Sequence, residues 1–254
     1  MAETLIVIPC YNEANRLRVD AFEEQLAADS GIDFIFVDDG SQDQTLQVLQ
    51  RLADRHPQRI QVLPQASNRG KAEAVRVGLL AAFEQGTGFV GYLDADLATP
   101  LGEVERLRAV LKQHDHVEMV FGSRVKLLGR QISRSSARHY LGRVFATAAA
   151  WSLGLAIYDT QCGAKLFRAS ETNRSLFEQP FITDWTFDVE VIARRVVAGR
   201  QAALPAVESA IYELPLNEWS AVSGSKVRAV DFLPALLGLW RIRRHYLRPT
   251  ANNR

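Results

Sequence analysis

The sequence predicts an α/β fold in which a mostly parallel sheet carries helices on both faces. Short, continuous apolar runs of strand length alternate along the first half of the chain with longer segments of helical periodicity. The apolar runs have no polar alternation, which is typical of strands buried on both faces of a sheet. Strands and helices in this order give a layered α/β domain.

Six segments are predicted to be strands. They are Leu5–Pro9, Phe34–Val37, Ile60–Leu63, Phe89–Leu93, Met119–Phe121 and Lys165–Phe167. Right-handed crossovers would bring the C-terminal ends of the parallel strands to one edge of the sheet, where open sheets bind ligands.

Helical patterns fill the segments between these runs. They are Ala14–Ala28, Asp43–Arg55, Lys71–Gln85, Leu101–Gln113, Ile132–Leu155 and Trp185–Val197. Ser41-Gln42-Asp43 provides a polar start for a helix from Thr45, and Pro100 suits an early helical position. The rhythm changes after Gly129, and we expect the largely helical second half to shape a ligand site within the same domain.

The composition is that of a globular protein with one large domain, or one domain with a small appendage. The chain has 254 residues, 47% of them hydrophobic, and a net charge of +1, which gives no electrostatic basis for binding nucleic acid. Cys10 and Cys162 are too few for a disulfide framework or a zinc site and fit a reducing compartment. No uncharged stretch reaches the roughly 18–20 residues needed to cross a bilayer.

Polar clusters follow three of the predicted strands. They are Tyr11-Asn12-Glu13, Asp38-Asp39-Gly40-Ser41 and Asp94-Ala95-Asp96. Because parallel strands end at the same edge of a sheet, we expect these carboxylates to converge there. Their mutual repulsion would be costly unless a cation or hydrogen-bond donors occupied the site.

Asp94 and Asp96 are the candidate metal ligands. Two carboxylates just past a strand can approach one divalent ion, and their oxygens suit Mg²⁺ or Mn²⁺ when substrate phosphates complete the shell. The alternative is a turn with two solvated or capping aspartates. Asp39 is a candidate for contact with a ribose or base, or else it caps a helix beside a tight turn at Gly40.

Basic residues form two further candidate sites. Asn68-Arg69-Gly70-Lys71 opens a helix, where cationic side chains and free backbone N–H groups could meet an anionic ligand. A basic run is formed by Arg124, Arg130, Arg134 and Arg138. Arginine forks suit phosphate recognition. The alternatives are a capping turn with solvated cations for the first segment and a solvated helix face for the second.

Together these segments resemble the family 2 glycosyltransferases, whose fold is the Rossmann-like GT-A fold. The resemblance rests on the segments 8–13, 37–45, 68–71 and 94–96, which occur in the family's order and spacing. A narrower similarity to dolichyl-phosphate β-glucosyltransferases and other polyprenyl-phosphate glycosyltransferases rests on segments 122–124, 159–167, 185–190 and 224–226. The resemblance covers roughly residues 4–230.

The resemblance implies two groups of ligand-binding residues. The nucleotide sugar would contact Pro9, Tyr11, Glu13, Asp39, Lys71, Asp94 and Lys226. The acceptor phosphate would contact Ser123, Arg124, Arg134 and Arg138. A Mg²⁺ or Mn²⁺ ion would be held on the diphosphate by Asp96, with Asp94 on the metal or the ribose.

The resemblance also implies which residues are catalytic. They would be Asp94, Asp96, Asp159, Arg124 and Arg134, with Asp159 orienting the acceptor or the metal shell. The chain departs from the family at Leu97, where relatives often carry Gly or Gln. This difference would shift the coordination of the metal onto Asp96 and water.

The implied activity is inverting transfer of a sugar, with UDP-glucose as the implied donor, to a polyprenyl or dolichyl phosphate. Residues 1–230 would form the transferase domain, with a nucleotide-sugar half at 1–125 and an acceptor half at 126–230. A phosphate acceptor needs arginines that position it, whereas a sugar hydroxyl needs a carboxylate base, for which Asp159 is the candidate. A soluble or sugar-hydroxyl acceptor and a non-catalytic nucleotide-sugar-binding protein remain as alternatives.

Residues 231–254 are predicted to be an amphipathic, basic tail that contacts a membrane. Phe232–Trp240 is apolar, and the following Arg241–Arg248 is rich in arginine, a composition typical of an interfacial helix. The alternative is a terminal helix packed on the core. We therefore expect a cytoplasmic protein that attaches to a membrane surface without crossing it.

Overall fold

The computed structural model describes residues 2–28, 30–133, 136–201, 204–221 and 232–248. The strands are β1 (Thr4–Cys10), β2 (Ile32–Asp38), β3 (Ile60–Pro64), β4 (Phe89–Leu93), β5 (Met119–Ser123), β6 (Gln131–Ser133), β7 (Ala164–Arg168), β8 (Ile211–Pro215) and β9 (Glu218–Ser220). The helices are α1 (Val19–Ala27), α2 (Thr45–Arg55), α3 (Lys71–Phe83), α4 (Glu103–Gln113), α5 (Ser136–Leu153), α6 (Glu171–Ser175), α7 (Phe187–Gln201), α8 (Val207–Ala210) and α9 (Phe232–Ile242), which continues into a π-helical turn at Arg243–Leu247.

The central sheet has seven strands in the order β3-β2-β1-β4-β7-β5-β8. Strand β7 runs antiparallel to its neighbours β4 and β5, and the other neighbouring pairs are parallel. Strands β6 and β9 form a separate two-stranded parallel ribbon. The predicted α/β fold with a mostly parallel sheet is therefore confirmed. The second half of the chain contributes β7 and β8 to this sheet, so both halves share one core.

Helices cover both faces of the sheet, as the sequence predicts. Along β1, Leu5 and Val7 pack into the core on the side of α3, α5, α7 and α9, whereas Ile6 and Ile8 pack into the core on the side of α1, α2 and α4. Val7 and Ile8 are completely buried. Burial of such a side chain stabilises the fold by about 1.5–3 kcal/mol. Two buried faces explain why the strands are continuously apolar.

Turns or a strand take the place of the first residues of three predicted helices, and α2 and α7 each begin two residues later than predicted. Helix α1 begins at Val19 because Asn12 has a positive φ of 52° and the N–H groups of Arg16 and Leu17 bond back to the carbonyl of Glu13. Helix α4 begins at Glu103, after a turn.

The third correction concerns the segment predicted as one helix from Ile132 to Leu155. It begins with the short strand β6 and becomes helical at Ser136. Strand β6 pairs with β9, which lies about 85 residues further along the chain. A partner so distant leaves no sign in the local pattern.

One edge of the sheet collects the ends of five strands. The C-terminal ends of β1 and β2 are level, with Cys10 opposite Asp38, and β4 and β5 run in the same direction. The antiparallel β7 enters the sheet at this edge, because its first residue Ala164 lies opposite Leu93, the last residue of β4. Its direction therefore brings the loop before β7 to the polar clusters of the first half.

Candidate active site

The loops that follow β1 and β2 are joined by hydrogen bonds between side chains and backbone. The N–H of Asn12 donates to Ser41 Oγ at 3.0 Å, and the N–H of Gln42 donates to Asn12 Oδ1 at 2.9 Å. The N–H of Glu13 donates to Thr45 Oγ1 at 2.8 Å. Two of the predicted polar clusters thus form one connected wall of the site.

The predicted nucleotide contacts of the first loop lie along this wall. Pro9 and Tyr11 are partly exposed, whereas the Glu13 side chain is mostly buried. Glu13 Oε2 lies 3.4 Å from Arg16 Nε. These positions are compatible with the predicted donor side, but the roles of the three residues remain predictions.

Asp39 connects β2 to the start of helix α3. Its carboxylate accepts hydrogen bonds from the backbone N–H groups of Arg69 at 2.7 Å and Gly70 at 2.9 Å. Burial raises the pKa of Asp39 above its ordinary value, although these two N–H groups act to lower it. Gly40 has a φ of 64°, and a Cβ there would collide with the backbone of Ser67. Asp39 therefore fixes the turn before α3 and brings the segment before Lys71 to the edge.

The pair Asp94 and Asp96 lies just past β4, at the centre of this edge. The N–H of Asp94 donates to the carbonyl of Gly163 at 3.0 Å, and Asp94 Oδ1 lies 2.5 Å from Lys71 Nζ. Asp96 accepts a hydrogen bond from the N–H of Ala98 at 3.0 Å. Burial, and then the negative charge of Asp94, raises the pKa of Asp96. The structure thus brings Lys71, predicted as a nucleotide contact, onto Asp94.

The Lys71 ammonium is surrounded by negative charge. Its burial acts to lower its pKa, but the carboxylates of Asp94, Asp188 and Asp96 outweigh burial and raise the pKa above its ordinary value. Lys71 is therefore a cation at neutral pH.

A buried polar cluster missed in the sequence lies next to this edge. Lys165 Nζ is 2.7 Å from Asp188 Oδ1 and donates to the carbonyl of Cys162 at 2.6 Å, while Tyr92 donates its hydroxyl hydrogen to Asp188. Lys165, Tyr92 and Asp188 are all buried. The one available signal was a lysine inside an apolar strand, since a buried lysine requires a partner.

Asp94 and Asp96 fit a divalent ion whose other coordination positions are filled by the substrate and water. Asp94 and Asp96 supply hard carboxylate oxygens, and Asp94 packs directly on the Cα of Gly163, where any side chain would displace it. Within the described ranges no three Asp, Glu, His or Cys side chains form a complete metal-binding group. A site with two carboxylates leaves the remaining positions to phosphate oxygens and water, as Mg²⁺ sites on nucleotides do.

Arg124 and Asp159 form a second, cationic side of the site. Arg124 Nε and Nη2 donate to the two carboxylate oxygens of Asp159, both at 2.7 Å, and the Arg124 N–H donates to the same group at 3.0 Å. Glu213 of β8 accepts from the N–H groups of Tyr158 at 2.7 Å and Asp159 at 2.8 Å. Glu213 was not predicted, and it fixes the loop that orients Arg124.

The electrostatics keep Arg124 charged. Its burial acts to lower its pKa, but Asp159 outweighs burial and raises the pKa. The charge of Asp94 acts on Arg124 in the same direction, so the cationic side and the carboxylate pair are within electrostatic range of each other.

The other residues predicted to contact the acceptor phosphate lie in several parts of the chain. Ser123 ends β5 with a buried hydroxyl that has no hydrogen-bond partner among the described residues. Arg138 lies in helix α5, and its side chain is outside the described part of the structure. Arg134 and Lys226 lie outside the described residues. The structure therefore brings together Ser123, Arg124 and Asp159, and the roles of Arg134, Arg138 and Lys226 remain predictions.

Replacing Gly163 with Ala is expected to lower activity more than stability. The new Cβ would lie well inside van der Waals contact with the Asp94 carboxylate, so that side chain must move. A misplacement of about 1 Å at a reacting group costs about 100-fold in rate, and we expect a loss of roughly 10- to 100-fold in kcat/KM. Steady-state kinetics with thermal unfolding would measure both. Gly102→Ala, where a Cβ meets nothing within 4 Å, is the control. Full activity in Gly163→Ala would contradict the assigned position of Asp94.

Cys162 is expected to be chemically inert despite its place in the site loop. It is completely buried, and burial raises the pKa of its thiol to about 11. At pH 8 only about 0.1% is then thiolate, so labelling by iodoacetamide should be over about 100-fold slower than for an ordinary thiol. Mass spectrometry of native and denatured protein would measure this, and rapid native labelling of Cys162 would contradict the structure.

Comparisons with known proteins give a consistent result. A family profile described as Glycosyl transferase family 2 matches residues 5–172. A dolichyl-phosphate beta-glucosyltransferase from Trichomonas vaginalis is 31% identical, and the alignment covers 94% of this chain and 74% of that protein. A dolichyl-phosphate beta-glucosyltransferase from Drosophila melanogaster is 32% identical, with 94% and 77% covered.

The fold is also that of solved structures. Glucosyl-3-phosphoglycerate synthase from Mycobacterium tuberculosis, in complex with Mn²⁺, UDP-glucose and phosphoglyceric acid, superposes with a TM-score of 0.63. The two sequences are 17% identical, and the alignment covers 96% of this chain and 80% of that one. This likeness concerns the fold alone.

Proposed function

The chain belongs to glycosyltransferase family 2 and is a glycosyltransferase of GT-A fold, and from this membership we propose that it transfers glucose from UDP-glucose to a polyprenyl or dolichyl phosphate. The names of the relatives support the donor sugar and the acceptor. The observation that carries the proposal is the position of a fixed arginine, Arg124, within electrostatic range of the Asp94 carboxylate.

The donor side of the proposed reaction lies at Asp94 and Asp96. These carboxylates would hold a Mg²⁺ or Mn²⁺ ion together with the diphosphate of the donor. The chemistry that such an ion supplies is neutralisation of the charge that develops on the leaving diphosphate. The hydrogen bonds from the turn before α3 to Asp39 fix the wall along which the nucleotide would lie.

The acceptor side of the proposed reaction lies at Arg124. A phosphate monoester is already an anionic nucleophile at neutral pH, so the protein must orient it rather than deprotonate it. Asp159 accepts hydrogen bonds from two of the five N–H groups of the guanidinium and fixes its plane. Direct displacement by the oriented phosphate would invert the anomeric carbon of the sugar.

The geometry favours this acceptor over a sugar hydroxyl. A hydroxyl acceptor needs a general base, and Asp159 is the candidate for that role. Both oxygens of Asp159, however, accept hydrogen bonds from Arg124, and the N–H of Gln161 donates to one of them at 3.3 Å. An Asp159 engaged in this way is suited to orienting Arg124 rather than to removing a proton.

The proposal includes contact with the cytoplasmic face of a membrane. Among the described residues no helix is both long and apolar enough to span a bilayer. Helix α9 buries Ala235, Leu239 and Ile242 against α5 and α7. Its other face exposes large apolar side chains, namely Leu233, Leu237 and Trp240. These are four and three residues apart and form one stripe.

Basic and aromatic residues extend this stripe. Trp151 on the neighbouring helix α5 is 74% exposed, and the Arg243 guanidinium lies 4.3 Å from the centre of its ring. Arg241 and Arg244 are also exposed. Exposed tryptophan and leucine beside arginine suit the interface of an anionic bilayer. One face of α9 packs on the core, and its other face, exposed among the described residues, supports the proposed contact with a membrane.

A panel of acceptors tests the proposed function. Purified protein with UDP-glucose and Mn²⁺ should transfer glucose to a short polyprenyl phosphate, and much less to the matching polyprenol or to soluble sugars. Comparison with GDP-mannose under the same conditions tests the donor. Preferential transfer to a free sugar would reject the lipid-phosphate acceptor and favour the hydroxyl alternative.

Liposome sedimentation tests the membrane contact. Vesicles with anionic lipid should retain the protein, and Leu237→Ser with Trp240→Ser should weaken retention by at least about tenfold, since each buried apolar side chain contributes about 1.5–3 kcal/mol. Tyr212→Ser, which removes an exposed aromatic ring on the edge strand β8, is the control. Equal retention of all proteins would contradict the assigned surface.

A further inference from the structure

We propose that Lys71 is an internal, displaceable cation that occupies Asp94 in the donor-free protein and leaves it when the metal–diphosphate complex binds. The inference rests on the proposed function. Its geometric basis is the 2.5 Å approach of Lys71 Nζ to Asp94 Oδ1, an oxygen of the carboxylate pair that fits a divalent ion.

Lys71 can leave Asp94 because both side chains are partly exposed, although the contacting oxygen, Asp94 Oδ1, is itself buried. The side chains of Lys71 and Asp94 are 43% and 35% exposed. The charge of a divalent ion on the Asp94 carboxylate would replace the charge of the departing ammonium and offset the loss of this ion pair. As the first residue of α3, Lys71 has a fixed backbone position and a long, flexible side chain.

The second lysine of the site is held in place and cannot take this role. Lys165 is 1% exposed at its side chain, lies 2.7 Å from Asp188 and donates to the carbonyl of Cys162. It neutralises the buried Asp188. Lys165 is thus engaged by Asp188, and Lys71 is the lysine that competes with a ligand for Asp94.

Replacing Lys71 with an uncharged residue should therefore change the affinity for a metal ion and the affinity for the nucleotide sugar in opposite directions. A metal ion alone should bind more tightly, because the competing ammonium and its repulsion are removed. The nucleotide sugar should bind less tightly, because the released ammonium stays beside the edge within the length of its side chain and attracts the anionic diphosphate. A residue that served only to stabilise the fold would not produce this combination.

The experiment compares Lys71→Met with Lys71→Arg and wild type. Mn²⁺ binding without nucleotide is measured by electron paramagnetic resonance, and the KM for UDP-glucose is measured separately. Lys71→Met should bind Mn²⁺ roughly three- to tenfold more tightly than wild type, and its KM for UDP-glucose should rise by about tenfold or more. Lys71→Arg keeps the charge and should stay close to wild type in Mn²⁺ affinity. Lys112→Met, which removes an exposed lysine paired with Glu3, is the control and should not change Mn²⁺ affinity.

The outcomes separate this inference from the proposed function. Unchanged, weaker or undetectable Mn²⁺ binding in Lys71→Met, with the fold intact by thermal unfolding, overturns the displaceable-cation role even if wild type transfers glucose to lipid. Tighter Mn²⁺ binding supports that role even if no lipid phosphate is an acceptor, in which case the proposed function alone fails. A misfolded Lys71→Met is replaced by Lys71→Gln, and the same criteria apply.

Discussion

Asp96→Asn is expected to lower kcat/KM for sugar transfer by about a thousandfold. The substitution keeps the size of the side chain but removes the charge that would hold the metal on the leaving diphosphate, and electrostatic stabilisation of that kind contributes factors of about 10²–10³. The amide can still accept the hydrogen bond that Ala98 donates, so the turn after β4 should persist. Steady-state kinetics at saturating Mn²⁺, together with thermal unfolding, measure the change.

Asp115→Asn is the matched control for this expectation. Asp115 is exposed in the turn before β5 and therefore lies towards the opposite edge of the sheet from Ser123, which ends that strand. The control should retain wild-type kinetics. If Asp96→Asn kept more than about a tenth of wild-type kcat/KM, Asp96 would not be a metal ligand and the assignment of the carboxylate edge would be wrong.

Arg124→Lys is expected to lower kcat/KM for a polyprenyl phosphate by about 100-fold. Lysine keeps the positive charge but loses the planar fork that Asp159 holds, so the acceptor phosphate is no longer oriented. Binding of UDP-glucose should change by less than about threefold, because Arg124 lies on the acceptor side. Kinetics with varied acceptor and isothermal titration with UDP-glucose separate the two effects.

Two further variants make the test of Arg124 specific. Arg51→Met removes an exposed arginine on α2 and should leave the kinetics unchanged. Asp159→Asn removes the partner of Arg124 and should reproduce most of the loss seen in Arg124→Lys. Wild-type acceptor kinetics in both Arg124→Lys and Asp159→Asn would rule out this pair as the acceptor site.

The sequence was sufficient to predict most of the central sheet, because its strands are buried on both faces. Runs such as Phe34–Val37 and Phe89–Leu93 are apolar without interruption, and this pattern depends on local sequence alone. The short strands β6, β8 and β9 were not predicted. Each is only partly buried and is fixed by a distant partner, as β8 is by β5.

The convergence of part of the candidate site could be predicted because the strands that carry it could be predicted. Asp94 and Asp39 follow predicted strands, so their convergence followed from the parallel arrangement. The partners of these residues were not predictable, since Lys71 pairs with Asp94 and Asp159 pairs with Arg124 only after the chain has folded. Glu213 gave no signal at all, because a single carboxylate in a short edge strand has the pattern of a solvated residue.

Nuclear magnetic resonance of the reaction product tests the central claim most directly. Wild-type protein with Mn²⁺, UDP-glucose and a short polyprenyl phosphate should give a glucosyl phosphate lipid whose anomeric carbon is β-linked to the acceptor phosphate, and Asp96→Asn should give none in the same time. An α-linked product, glucose attached elsewhere, or undiminished product from Asp96→Asn would contradict the assignment of the carboxylate edge and of the phosphate acceptor.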